Sequence, residues 1–97
     1  MFDKMKQLFE MQKSMQELKR KLEEANFDIV SGNGMVKISM NAAQKINSLS
    51  INGDLAQIDK AALEKSICEA YDRALKRAQE IAASNLKGMP GLNLPKI

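Results

Sequence analysis

The residue types that most often do chemistry in proteins are scarce in this chain of 97 residues. It contains no histidine and no tryptophan, and its one cysteine is Cys68. The commonest general base is therefore absent, and so are metal sites that depend on histidine or on clustered cysteines. Cys68 follows Ile67 on an apolar stripe of a predicted helix, so we expect a buried structural thiol. We predict no catalytic residue, no metal site and no cofactor.

Gly32-Asn33-Gly34 could begin a glycine-rich nucleotide-binding loop. That fingerprint needs a third glycine three positions beyond Gly34 and a helix at the phosphates, but Lys37 stands there in a predicted strand. An Asn-Gly pair between two strand-like runs is typical of a β-hairpin turn. We therefore expect a turn here, and we predict that the chain is not an enzyme.

Basic side chains are the remaining candidates for function. Fifteen Lys and Arg against twelve Asp and Glu give a net charge of +3, and each of the two predicted helix regions, with Lys87 counted in the second, carries six basic and five acidic residues. Many opposite charges stand four residues apart, for example Glu17 with Lys21, Glu69 with Arg73 and Asp72 with Lys76. This pattern favours a solvated, salt-bridged surface, with a face that binds polyanions as the alternative. Two copies would together carry twice the charge, +6.

The first helix is predicted over residues 2–25, where strong helix formers dominate and no Gly or Pro intervenes. Its apolar residues recur at alternating spacings of three and four, as in a coiled-coil seam. The seam comprises Leu8, Met11, Met15, Leu18, Leu22 and Ala25.

The second helix is predicted from Asp59, a good N-cap, to about Leu86. Its apolar stripe comprises Leu63, Ile67, Ala70, Ala74, Ala78 and Ile81, extended by Cys68, Tyr71, Leu75 and Ala82. Residues 1–87 are predicted to form a single domain, and residues 88–97, with two Pro and two Gly, a flexible tail.

In residues 26–53 the spacing of apolar residues changes from the helical pattern to a period of two. Apolar and polar residues alternate there around Ile29, Ile38 and Ser50. This pattern predicts three half-buried strands in an antiparallel meander, within an α+β chain of order α-β-β-β-α. The two helices would be about twice as long as the strands and would overhang the sheet. We therefore expect a homodimer in which helices or sheets pair across a two-fold axis.

Several segments, taken in order, resemble the bacterial YbaB/EbfC nucleoid-associated proteins over essentially the whole chain. They are residues 11–16 (MQKSMQ), 32–38 (GNGMVKI), 49–51 (LSI), the second helix with 70–74 (AYDRA), and 89–92 (MPGL). The resemblance implies an intertwined, tweezer-like homodimer that binds double-stranded DNA through its helical arms, for nucleoid organisation and gene regulation.

On that resemblance we expect basic residues of the helices to contact DNA phosphates without reading bases. The candidates are Lys4, Lys6, Lys13, Lys19, Arg20, Lys21, Arg73, Lys76, Arg77 and Lys87. The few aromatic residues (Phe2, Phe9, Phe27 and Tyr71) are expected to be mostly buried, so they offer no stacking platform for single strands.

An alternative function is a protein-interaction module. Its methionine-rich helix faces and the tail would then bind a partner from the recombination or replication machinery. No segment is typical of a signal peptide or a membrane span, so we expect a cytoplasmic protein located at the nucleoid, with no membrane partner.

Overall fold

The computed structural model describes residues 2–87, and the predicted tail, 88–97, lies outside them. Helix, three strands and helix follow one another as the sequence predicts, and the sheet is antiparallel with strand order β1-β2-β3. The elements are α1 (Phe2–Glu24), β1 (Asn26–Val30), β2 (Val36–Asn41), β3 (Ile46–Ile51) and α2 (Lys60–Lys87). None of the helices within residues 2–87 has the length and apolar character needed to cross a bilayer.

The end of α1 is tied to the turn between β2 and β3. The backbone N–H of Ala42 lies 3.0 Å from the carbonyl oxygens of both Leu22 and Ala25, and the side-chain amide of Asn41 donates to the carbonyl of Glu23 at 3.3 Å. The last carbonyls of a helix have no partner within the helix. The turn supplies these partners and so anchors α1 to one end of the sheet.

The opposite end of the sheet carries the predicted β-hairpin turn. Gly34 has a φ of 75°, which suits glycine, and its N–H donates to the carbonyl of Ser31. The Asn33 amide donates to the Ser66 hydroxyl of α2 at 2.7 Å. The prediction of a turn rather than a nucleotide-binding loop is confirmed, and the turn is also a docking point for α2.

The core lies between α2 and one face of the sheet. Val36, Ile38 and Met40 are almost completely buried beneath Ala70, Ala74 and Ala78. Alanine at four-residue intervals keeps this helix face flat, so that the backbone of α2 approaches the strands closely. The helix begins at the hairpin-turn end of the sheet, beside Asn33, and extends to the opposite end, where it contacts α1.

Asp59 is the N-cap of α2, as the sequence predicts. Its carboxylate accepts a hydrogen bond from the backbone N–H of Ala62 at 3.0 Å, and its carbonyl accepts the first helical bond, from Leu63 at 2.9 Å. These contacts satisfy donors that the first turn of a helix otherwise leaves unpaired.

The third strand lies beside this core and is not covered by it. Ile46, Leu49 and Ile51 pair with Met40, Ile38 and Val36 and so point to the same face of the sheet. All three are exposed, because α2 lies over β2 and β1 rather than over β3. The protein is elongated and measures 67 × 25 × 17 Å along its principal axes.

Two expectations about burial are wrong, that of a buried Cys68 thiol and that of mostly buried aromatic side chains. Cys68 is exposed, Phe9 is 70% exposed and Tyr71 is 40% exposed. The helix face turned towards the sheet is centred on Ala70 and Ala74, and Cys68 lies two residues from Ala70, about 200° round the helix. Phe9 lies on the part of α1 that extends beyond the sheet.

Candidate nucleic-acid interface

All ten basic residues predicted to contact DNA have exposed side chains. They form two groups, because α1 joins the sheet at one end and α2 crosses it. The six on α1 are Lys4, Lys6, Lys13, Lys19, Arg20 and Lys21, and the four on α2 are Arg73, Lys76, Arg77 and Lys87. The structure shows which of them are engaged by acidic neighbours.

On α1, Lys6, Lys13 and Arg20 form a row that we call the α1 line. Seven residues are almost two helical turns, so residues at this spacing share one side of the helix. Arg20 is two residues from the buried Leu18, which places the α1 line on the outer side of the helix.

The α1 line has an acidic neighbour at every step. Each of its cations is followed four residues later by a glutamate: Glu10, Glu17 and Glu24. The guanidinium of Arg20 lies 3.6 Å from the Glu24 carboxylate, and Lys19 lies 4.0 Å from Glu23. These pairs are well exposed, so each contributes little to stability and a phosphate can compete for the cation.

On α2, Lys65, Lys76 and Lys87 form a second row, the α2 line. Eleven residues are close to three helical turns, so these three side chains also share one side of their helix. None of the three forms an ion pair within residues 2–87. Lys65 was missed by the prediction, although its spacing of eleven from Lys76 is visible in the sequence.

Arginines engage two of the acids beside the α2 line, Glu69 and Glu80. The Arg73 guanidinium lies 3.4 Å from the carboxylate of Glu69, as the sequence predicts, and Arg77 lies 3.5 Å from that of Glu80. Arg73 also donates to the carbonyl of Val30 at 3.3 Å. Arg73 is thereby tied to the sheet, whereas Lys76 extends from the helix without such a contact.

Two predicted ion pairs are not formed. Among the described residues, neither Glu17 with Lys21 nor Asp72 with Lys76 comes within 4.0 Å. On α2 this leaves the ammonium group of Lys76 available to an external anion.

The order and geometry of these elements match a known protein family. The sequence profile of the YbaB/EbfC DNA-binding family covers residues 1–92. The chain belongs to this family. The resemblance noted in the sequence is therefore confirmed over both helices and all three strands.

Individual relatives of this YbaB/EbfC chain agree. It is 37% identical over 93 residues to a nucleoid-associated protein of Clostridium novyi, covering 94% of this chain and 82% of that protein. It is 30% identical over 99 residues to a nucleoid-associated protein of Methylocella silvestris, covering 94% and 92%.

A solved structure shows the same fold. The crystal structure of an uncharacterized protein from Helicobacter pylori superposes on this YbaB/EbfC chain with a TM-score of 0.75. The two sequences are 27% identical, and the match covers 87% of this chain and 89% of the other.

Proposed function

We propose that this protein is a nucleoid-associated protein that binds double-stranded DNA as a homodimer, for nucleoid organisation and gene regulation. The observation that carries the proposal is the match to a DNA-binding family over residues 1–92. Both curated relatives described above are named nucleoid-associated proteins, which supports a location at the nucleoid.

The ten basic residues predicted from the sequence, with Lys65 added, are the proposed contacts to phosphate. Lys and Arg on helix surfaces neutralise phosphates and release counterions, so they bind duplexes without reading the sequence. The α2 line is the better placed of the two rows, because within residues 2–87 none of its three cations forms an ion pair, whereas Arg20 of the α1 line pairs with Glu24.

A second copy of the chain is the proposed partner for the apolar row of β3. The row continues onto one flank of α2. The Arg73 guanidinium donates a hydrogen bond to the carbonyl of Val30 in β1, so the flank of α2 that carries Arg73 faces β1. Tyr71 lies about 200° round the helix from Arg73, so the flank that carries Tyr71 faces β3. Apolar side chains of Ile46, Leu49 and Ile51 thus lie beside an exposed aromatic ring. Pairing two such faces would bury both and bring four helices into one particle with a charge of +6.

Duplex binding at several salt concentrations tests the proposal. With about four phosphate contacts, log K should fall against log salt concentration with a slope near −3.6. A random-sequence duplex and a single strand of equal length are compared, and the duplex should bind more tightly. Binding that does not change with salt would overturn the proposed phosphate contacts.

A pair of matched variants locates the interface. Lys76→Gln/Lys87→Gln and Lys37→Gln/Lys45→Gln remove the same charge, the first from α2 and the second from β2 and the following turn. If Lys76 and Lys87 of one chain supply two of the four contacts, the α2 variant should change the salt slope from about −3.6 to about −1.8, and the control should leave it nearly unchanged. Equal losses in both variants would show that net charge rather than this helix determines binding.

One observation favours the alternative, a protein-interaction module. Met5, Met11 and Met15 are 72%, 51% and 48% exposed on the overhanging part of α1, and flexible methionine side chains suit adaptable protein contacts. Charge reversal at Lys19, Arg20 and Lys21 distinguishes the two functions. If the protein binds DNA, the charge reversal should abolish duplex binding. If it is a protein-interaction module, the same change should leave capture of a partner protein intact.

A further inference from the structure

The chain contains two Asn-Gly pairs, which differ in how the fold holds them. Asn33-Gly34 lies in the hairpin turn, and Asn52-Gly53 directly follows β3. Asparagine before glycine is prone to spontaneous loss of its side-chain amide, because the backbone nitrogen of the next residue can attack the side-chain carbonyl carbon. Glycine has no side chain to hinder this attack. In a folded protein the reaction therefore depends on how freely these two groups can approach each other.

The reacting groups of the first pair are held by hydrogen bonds. The side-chain oxygen of Asn33 accepts from the Ser31 hydroxyl at 2.7 Å and from the backbone N–H of Met35 at 3.0 Å. Its amide group, which would have to leave, donates to the Ser66 hydroxyl at 2.7 Å. The attacking nitrogen would be that of Gly34, which donates to the carbonyl of Ser31 at 2.9 Å. The reaction at Asn33 therefore requires the turn to open first.

The reacting groups of the second pair are free of such bonds. Within residues 2–87, no hydrogen bond involves the side chain of Asn52 or the backbone N–H of Gly53. Both residues are exposed to water, and Gly53 has a φ of 128°, a conformation that suits glycine. The backbone N–H of Asn52 donates to the carbonyl of Met35 at 2.7 Å. The backbone of Asn52 is thus attached to the rest of the fold while its side chain can turn towards Gly53.

We propose that Asn52 is a site of spontaneous deamidation in the folded protein and that the fold protects Asn33. The backbone nitrogen of Gly53 attacks the side-chain carbonyl carbon of Asn52, a new C–N bond forms, and the bond to the amide nitrogen breaks. The leaving amide group takes up the proton that the Gly53 nitrogen loses and departs as ammonia. Water then opens the cyclic imide at either of its C–N bonds, which gives aspartate or isoaspartate without any oxidant or reductant.

The product changes both the charge and the length of the connection between β3 and α2. Each reaction creates one carboxylate, so the net charge of the chain falls from +3 to +2. The isoaspartate form also adds one methylene group to the backbone between Ile51, the last residue of β3, and Gly53. Both changes arise from the chain's own residues and water.

Peptide mapping by mass spectrometry tests the proposal on the folded protein, incubated in a mildly alkaline buffer. Asn52 should be converted at least about tenfold faster than Asn33, because a side chain held by hydrogen bonds reacts only from an opened state. The same incubation in urea, where neither pair is held, should bring the two rates close together. Folded protein in which Asn52 is not converted, or is converted no faster than Asn33, would overturn the proposal.

Ser66→Ala identifies the cause of the protection. It removes the acceptor for the amide of Asn33, so the rate at Asn33 should rise while the rate at Asn52 stays the same. An unchanged rate at Asn33 would contradict protection by this hydrogen bond. An equal rise at both sites would show that Ser66 acts on the whole fold rather than on Asn33, against the proposal.

Asn52→Gln identifies the attacking group. Glutamine keeps the amide, but its longer side chain would have to form a larger and less favourable ring with the Gly53 nitrogen. Loss of ammonia at position 52 should therefore nearly stop, and the rate at Asn33 should not change. Loss that continues at position 52 at the original rate would contradict attack by the Gly53 nitrogen.

Discussion

The carboxylate of Glu69 accepts a hydrogen bond of 2.6 Å from the backbone N–H of Gly32, which connects the middle of α2 to the hairpin turn. A β-carbon added at Gly32 would lie 2.8 Å from that carboxylate oxygen. The contact therefore depends both on an acid in α2 and on the missing side chain in the turn.

Glu69→Ala should lower the free energy of unfolding by about 1 kcal/mol, because one charge-assisted hydrogen bond is lost at a partly exposed site. Gly32→Ala should lower it similarly by displacing the carboxylate. Urea unfolding of both single variants and the double variant measures the coupling. The double variant should lose less than the sum of the two, and strict additivity would mean that the contact contributes nothing.

Gln44→Gly should raise the free energy of unfolding by about 0.5–1 kcal/mol, since the left-handed conformation is costly for residues with a β-carbon. Gln44 has a φ of 68° in the turn between β2 and β3. Ala43→Gly, one residue earlier and without a positive φ, is the control and should lower stability. Thermal unfolding compares them, and a loss of stability in Gln44→Gly would contradict the prediction.

Ala74→Leu should lower the free energy of unfolding by about 1–3 kcal/mol or more, because Ala74 is fully buried against the sheet and the larger side chain overpacks the core. Ala83→Leu places the same side chain at an exposed position of the same helix and should be nearly neutral. Equal stability of the two variants would show that α2 does not pack closely on β2.

Leu49→Lys should shift the proposed homodimer towards monomers, because a charge would enter the apolar row of β3. Ser50→Lys adds the same charge on the opposite face of the strand and should leave the dimer intact. Sedimentation at several concentrations measures both. A dimer that persists in Leu49→Lys would place the interface elsewhere.

Elements and their order follow from local patterns in the sequence. The spacing of apolar residues in α1, the alternation around Ile38 and the capping aspartate at Asp59 are properties of neighbouring residues. Short-range sterics and hydrogen bonding determine such features, so they can be predicted before packing is known. Family membership follows from the same order of segments.

Tertiary packing determined which faces are covered. The apolar stripe of α2 is wider than the surface that the sheet covers. The sequence alone therefore does not show that Ala70 lies at the centre of the covered face while Cys68 and Tyr71 are exposed. The exposure of Leu49 depends on where α2 crosses the sheet, and the availability of Lys76 depends on Arg77 engaging Glu80. The sequence by itself determined the helices, the strands and the family. Only the three-dimensional arrangement decided which apolar rows are exposed and which cations are unpaired. The reason is that several elements compete to cover the same apolar surface, and several basic residues compete for the same acidic partner.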